Sequence, residues 1–107
     1  MFDPALERII DKLTKLLKKE PTATKYRLLR STLYLRKRDY RQALADADKA
    51  IELEPDAWNY KKRGNVYFAM KNFGAALADY CKAIELYPNI EIENVLNYFE
   101  PILIENR

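Results

Sequence analysis

Two segments of this chain are nearly the same, and their repetition constrains the fold more than any other feature. The first, YRQALADADKAIELEP, spans residues 40–55, and the second, FGAALADYCKAIELYP, spans residues 73–88. In the second segment the apolar residues recur three or four positions apart, which places them on one face of an α-helix. These residues are Phe73, Ala76, Leu77, Tyr80, Ala83, Ile84 and Tyr87. Each segment is therefore predicted to form one amphipathic helix.

Another amphipathic helix is predicted directly before residue 73. Its apolar and small residues follow the same helical spacing: Tyr60, Gly64, Tyr67 and Phe68. Gly64 lies in the middle of this pattern, where a glycine costs a helix about 1 kcal/mol relative to alanine. Such a glycine indicates that another helix packs closely on that turn. With a turn near Lys71 and Asn72, the two helices form a predicted hairpin.

A helix-turn-helix unit that recurs about every thirty-four residues is the signature of a helical solenoid. The repeated positions resemble the tetratricopeptide repeat family. They are a small residue in the first helix (Ser31, Gly64), a tyrosine three positions later (Tyr34, Tyr67), two alanines of the second helix (Ala43 and Ala50, Ala76 and Ala83) and a closing proline (Pro55, Pro88). The resemblance implies an all-α fold: a right-handed superhelical stack of antiparallel helix hairpins, an α-solenoid, with about six helices.

We expect a single domain over residues 1–107, since a chain of this length supports one core. It divides into an N-terminal flanking helix (3–20), a first repeat (24–56), a second repeat (57–90) and a C-terminal capping helix (91–107). Asp3 is a predicted N-cap followed by a proline at the first helical position. Asp39 and Asp56 are predicted to cap later helices. Pro101 lies inside the last helical pattern and predicts a break or kink near residues 99–101.

The composition argues against catalysis and against bound metals or cofactors. The chain has no histidine and one cysteine, Cys81, which excludes histidine-based catalytic groups and zinc sites built from histidine and paired cysteines. We interpret Cys81 as a small buried residue. We interpret Asp46, Asp48 and Asp79 as charges on the outer faces of helices. We therefore expect no catalytic residue, no metal and no cofactor.

The location expected from the sequence is cytoplasmic. No apolar run approaches the roughly 18 residues that span a membrane, and residues 1–8 lack the features of a secretory signal. The single cysteine cannot form an intrachain disulfide, which favours a reducing compartment. No membrane association is expected.

The resemblance implies a partner-binding groove along the first helix of each repeat, where members of the family bind a peptide or a helix. The matching positions in this chain are Lys25, Leu28, Leu29, Thr32, Arg36, Trp58, Lys61, Lys62, Asn65 and Phe68. Long cations beside an aromatic ring suit a partner with carboxylates and some apolar surface. The expected partner is therefore a protein or peptide of acidic character.

Lys61, Gly64 and Asn65 resemble the first part of the carboxylate clamp by which some members of the family bind the acidic C-terminus of heat-shock chaperones. Leu28 and Leu29 depart from the clamp pattern in the first repeat. The other clamp residues belong to two following repeats. We therefore expect no complete clamp from this chain.

Self-assembly is an alternative function, and it is compatible with peptide binding. Phe99, Ile102 and Leu103 recur at helical spacing in the C-terminal helix, and exposed apolar patches often mark interfaces. In the competing interpretation, Phe99 and Ile102 fold back onto the last hairpin of their own chain. That helix would then act only as a cap.

Nucleic-acid binding is a weaker alternative. Residues 12–41 contain eleven basic residues, opposed only by Glu20 and Asp39. Such a region can bind phosphates in a salt-dependent way. The net charge of +3 is modest for this role, so this alternative ranks below protein binding.

Overall fold

The structure, a computed structural model, describes residues 3–105 and the side chains of residues 3–102. Its elements in chain order are α1 (Pro4–Lys19), α2 (Thr24–Arg36), α3 (Tyr40–Leu53), α4 (Ala57–Ala69), α5 (Phe73–Leu86), a π-helical turn (Val95–Phe99) and α6 (Glu100–Glu105). No strand occurs in residues 3–105, so the predicted all-α class with about six helices is confirmed. Within these residues, no helix is both long and apolar enough to cross a membrane.

The chain divides into two compact units, with the boundary between Pro55 and Asp56. The first unit contains α1, α2 and α3. The second contains α4, α5 and residues 90–102, called here the C-terminal segment. The single domain inferred from the length of the chain stays a prediction.

The N-caps of α1 and α4 lie where the sequence predicts them. The carboxylate of Asp3 accepts a hydrogen bond from the Ala5 amide at 2.9 Å, and Pro4 opens α1. The carboxylate of Asp56 accepts a hydrogen bond from the backbone amide of Asn59 at 2.9 Å. Each cap satisfies a backbone donor that the first turn of a helix leaves without a partner.

The hairpins α2–α3 and α4–α5 turn in the same way. Arg38 and Lys71 both have a φ of 62°, the left-handed conformation that commonly ends a helix. The amides of the next residues, Asp39 and Asn72, donate to a carbonyl five residues earlier at 2.9 Å. Their side chains then accept from a backbone amide three residues later at 3.3 Å. The predicted cap at Asp39 and the predicted turn at Lys71 are therefore confirmed.

An ion pair joins the two helices of each hairpin. Arg30 of α2 donates to both carboxylate oxygens of Asp46 of α3 at 2.8 and 2.7 Å. Arg63 of α4 donates to both oxygens of Asp79 of α5 at 2.8 Å. The hydrogen bond to Asp46 raises the pKa of Arg30, and burial opposes this only in part.

The interpretation of these aspartates as charges on outer faces is wrong for two of the three. Asp46 is 4% exposed and Asp79 is 5% exposed. Both carboxylates lie between the helices of a hairpin, where an arginine fork satisfies their oxygens. Of these three aspartates, only Asp48 is exposed.

The core of the second unit is built around Tyr80, which has no exposed surface. A Cβ atom on Gly64 would lie 2.5 Å from Cε1 of Tyr80 and 3.3 Å from the carbonyl oxygen of Ala76. The close packing predicted at Gly64 is therefore confirmed, and the neighbouring helix is α5. At the matching position of the first hairpin, the hydroxyl of Ser31 donates to the Ala43 carbonyl at 2.8 Å.

Cys81 is exposed, so its predicted burial is wrong. It follows Tyr80, and consecutive helical residues point about 100° apart. Because the Tyr80 ring points into the core, the next side chain leaves the buried face.

The C-terminal segment packs against α4 and α5 and continues as a helix. Ile90, Ile92 and Phe99 are buried in the same core as Tyr80. At the π-helical turn the Glu100 amide donates to the Val95 carbonyl, five residues earlier. The break predicted near residues 99–101 is observed as this wider turn, after which the chain continues as α6.

Candidate functional site

The first helix of the first hairpin, α2, carries half of the predicted groove residues. Lys25 and Arg36 are exposed near its two ends, and Leu29 between them is 54% exposed. Leu28 and Thr32 are partly buried, and the Thr32 hydroxyl donates to the Leu28 carbonyl at 3.0 Å. This face is an apolar strip with a cation near each end.

The corresponding helix of the second hairpin, α4, begins with an exposed aromatic side chain. Trp58 is 54% exposed, and its ring centroid lies 5.8 Å from that of Tyr87, which follows α5. Lys62 is exposed one turn further along α4. An aromatic platform and a cation are therefore accessible at this end of the helix.

Lys61 of α4 is held against the C-terminal segment. Its ammonium group donates to the carbonyl oxygen of Glu91 at 2.8 Å and lies 3.8 Å from a carboxylate oxygen of Glu93. The same nitrogen is 5.9 Å from the centre of the Trp58 ring. This lysine thus contacts a main-chain oxygen and a carboxylate of one peptide segment at the same time.

Asn65, one turn after Lys61, has a fixed side-chain amide. Its Oδ1 atom accepts a hydrogen bond from the Tyr80 hydroxyl at 2.7 Å and one from the side-chain amide of Asn94 at 3.3 Å. The Asn94 amide also donates to the Tyr80 hydroxyl at 2.8 Å. Because Oδ1 is an acceptor for two donors, Asn65 would serve a ligand through its amide nitrogen.

The predicted groove residues of α4 are together called the α4 face: Trp58, Lys61, Lys62, Asn65 and Phe68. Phe68, at the end of this face, lies in an aromatic cluster. Its ring centroid is 5.3 Å from those of Phe73 and Tyr98 and 5.9 Å from that of Phe99. The rings meet edge to face, a favourable arrangement of aromatic pairs. Of the predicted groove residues of α4, Lys61, Asn65 and Phe68 therefore contact the C-terminal segment.

The residues predicted for self-association lie in different surroundings. Phe99 is 8% exposed and packs against Phe73 and Tyr80, with centroid distances of 6.2 and 6.1 Å. Ile102 is 41% exposed, and the side chain of Leu103 lies outside the described residues. The position of Phe99 favours the interpretation in which this segment covers the last hairpin, and self-assembly stays a prediction.

The basic region of residues 12–41 is partly used within the first unit. Arg27 lies 3.9 Å from Asp46, the aspartate that also binds Arg30, and Lys37 pairs with Glu7. Four lysines of α1 are exposed: Lys12, Lys15, Lys18 and Lys19. The surface available to an acidic partner is therefore smaller than the count of cations indicates.

Two models of the tetratricopeptide repeat match the sequence, one over residues 24–57 and one over residues 57–90. The chain belongs to the tetratricopeptide repeat family. A solved structure, described as the first TPR of Spaghetti (RPAP3) bound to HSP90 peptide SRMEEVD, is 27% identical to this repeat protein, with a TM-score of 0.80. The match covers 94% of this chain and 81% of that chain. No curated protein sequence gave a significant match.

The sequence did not identify the residues of this tetratricopeptide repeat protein that contact the α4 face from the C-terminal side. They are the carbonyl of Glu91, the carboxylate of Glu93 and the amide of Asn94. Asn94 lies beside the apolar positions Ile92 and Val95. An amide next to an apolar stripe is a signal for a hydrogen bond, because partly buried amides are normally paired.

The Tyr80 network of the repeat protein predicts a loss of stability in alkaline solution. Burial raises the pKa of the Tyr80 phenol above its ordinary value of about 10, and the hydrogen bond from Asn94 opposes this only in part. The folded state therefore holds the proton more tightly than the unfolded state. This stabilisation is complete below pH ~10 and is lost as the pH rises through the higher pKa of the folded state.

Urea unfolding between pH 8 and pH 11 measures this effect. The free energy of unfolding is expected to fall less steeply with pH for Tyr80→Phe than for the wild type. Tyr87→Phe removes a phenol that is 46% exposed and serves as the control for the loss of a tyrosine hydroxyl. Equal slopes for all three proteins would contradict the assignment.

Proposed function

We propose that this protein is a non-catalytic protein-interaction module that binds an acidic peptide along α4. One observation carries this proposal. Lys61, beside the Trp58 ring, already binds the main-chain carbonyl of Glu91 and lies 3.8 Å from the Glu93 carboxylate. The groups on this face thus have the reach and charge to hold an extended segment that carries carboxylates.

The α4 face offers three kinds of interaction to such a peptide. The ammonium groups of Lys61 and Lys62 can bind carboxylates, and an ionised partner strengthens each hydrogen bond. The Asn65 amide nitrogen can donate to a main-chain oxygen. Trp58 supplies accessible aromatic surface, and large aromatic side chains often contribute most to the binding energy of an interface.

The structural relative supports the acidic character of the partner. Its bound peptide, SRMEEVD, contains two glutamates and one aspartate. We propose that this chain binds a peptide of the same chemical class through Lys61, Lys62 and Asn65.

The α2 face, in the first unit, is proposed as a separate contact surface of a different kind. Leu29 is 54% exposed and Leu28 is partly buried, whereas Lys25 and Arg36 lie towards the ends of the helix. Such a strip suits an apolar side chain of the partner with an acidic neighbour.

Fluorescence anisotropy with labelled SRMEEVD peptide tests the proposal. The wild-type protein is expected to bind, and Lys61→Glu combined with Lys62→Glu is expected to weaken binding by about tenfold or more. The reason is that two attractive charges become repulsive at the contact. Circular dichroism confirms that each variant is folded.

A charge-matched control separates this contact from the effect of net charge. Lys71→Glu with Lys82→Glu changes the charge of the same unit by the same amount, at positions outside the α4 face. This control is expected to retain most of the wild-type affinity. Equal losses for the two double variants, or no binding by the wild type, would overturn the proposal.

A further inference from the structure

We propose that Glu93 is an intrachain competitor of the acidic peptide at Lys61 and thereby sets the affinity of the α4 face. This inference rests on the proposed peptide-binding function. Its starting point is that Lys61, the lysine at the centre of that face, already has a carboxylate of its own chain 3.8 Å away.

The Glu93 carboxylate is placed to be displaced. Its side chain is 71% exposed, whereas that of Lys61 is 18% exposed. At 3.8 Å the pair is near the distance limit of a salt bridge, and an ion pair whose carboxylate is largely in water is weak. A peptide carboxylate that approaches Lys61 more closely can therefore take the place of Glu93.

The rest of the C-terminal segment need not leave its position during this exchange. Ile92 is 2% exposed and Phe99 is 8% exposed, both in the core around Tyr80. The Val95 and Leu96 amides donate to the Ile92 carbonyl at 3.0 and 3.2 Å, which fixes the backbone after Glu93. Competition thus requires only that the exposed carboxylate of Glu93 swings away.

Asn65 has a different relation to the segment. Its Oδ1 atom accepts from the Tyr80 hydroxyl and the Asn94 side-chain amide, and both of these donors are neutral. A ligand that uses the amide nitrogen of Asn65 does not need to break these bonds. The competition is therefore confined to the charge of Lys61, which makes a single charge-neutralising substitution a suitable test.

The substitution Glu93→Gln removes the competing charge and keeps the shape of the side chain. Binding of labelled SRMEEVD peptide is expected to tighten about two- to fivefold, the range that corresponds to an exposed ion pair. Glu85→Gln is the matched control. It neutralises a carboxylate of the same unit that pairs with Lys82 at 3.6 Å, outside the α4 face, and reports the effect of net charge alone.

A double-mutant cycle identifies Lys61 as the group for which the peptide and Glu93 compete. In a Lys61→Ala background, Glu93→Gln is expected to change the affinity no more than Glu85→Gln does. A gain from Glu93→Gln that equals the gain from Glu85→Gln, or that persists without Lys61, would overturn the inference. A loss of affinity on Glu93→Gln would also overturn it, since Glu93 would then support Lys61.

The outcomes for the two proposals differ. If the wild type binds the peptide and Glu93→Gln behaves like Glu85→Gln, peptide binding stands and the competition fails. If neither the wild type nor Glu93→Gln binds at the highest peptide concentration, both fail.

Discussion

Replacement of Arg63 by methionine is expected to lower the free energy of unfolding by about 3 kcal/mol. The substitution keeps an unbranched apolar side chain and removes the guanidinium that donates to both oxygens of Asp79. The Asp79 side chain, which is 7% exposed, then loses its charged partner. Removing one partner of a buried ion pair is costly because the remaining charge has little access to water. Urea denaturation followed by circular dichroism measures the loss.

Two further variants test the cause of this loss. Lys82→Met breaks the pair with Glu85, whose side chain is 70% exposed, and should change stability by less than about 1 kcal/mol. Combining Arg63→Met with Asp79→Leu replaces the whole pair by apolar groups and should recover much of the stability. If Arg63→Met costs no more than Lys82→Met, the buried pair does not stabilise the hairpin.

Gly64→Ala is expected to destabilise the protein by about 2 kcal/mol, although alanine is the better helix former. The added Cβ atom would lie 2.5 and 2.7 Å from two ring carbons of Tyr80. This ring has little freedom to move, since it is fully buried and its hydroxyl is hydrogen-bonded to Asn65. Overpacking of a filled core costs about 1–3 kcal/mol, more than the propensity gain of about 1 kcal/mol. Thermal and urea unfolding should both show the loss.

Gly74→Ala provides a matched control on α5. A Cβ atom at Gly74 would meet nothing within 4 Å, so only the helix propensity changes. This variant is expected to be stabilised by about 0.5 kcal/mol. If both glycine variants are stabilised, the contact between α4 and α5 at Gly64 has room for a Cβ atom, and the predicted overpacking is wrong.

Several elements were predictable from short stretches of sequence because their causes are local. The helices follow from apolar spacing of three or four residues, and the caps at Asp3, Asp39 and Asp56 act on amides two or three residues away. The repeated pattern also indicated that the two hairpins are alike. Arg38 and Lys71 confirm this with the same φ of 62°.

The roles of the acidic residues were less predictable. The pairing of Arg63 with Asp79 joins residues that are sixteen positions apart, on two different helices. An aspartate in an amphipathic pattern is expected at the surface, because burying a charge is costly without a partner. Only the approach of α4 to α5 places the partner within reach.

The candidate site likewise combines features that the local sequence predicts with features that depend on the packing of the helices. The sequence alone determined an all-α chain of two related hairpins and indicated which residues lie along α4. The tertiary structure decided that the C-terminal segment packs against Lys61, Asn65 and Phe68, and that Cys81 is exposed. Helix formation depends on residues within about one turn, whereas contacts between α4 and a segment some thirty positions later depend on how the helices pack.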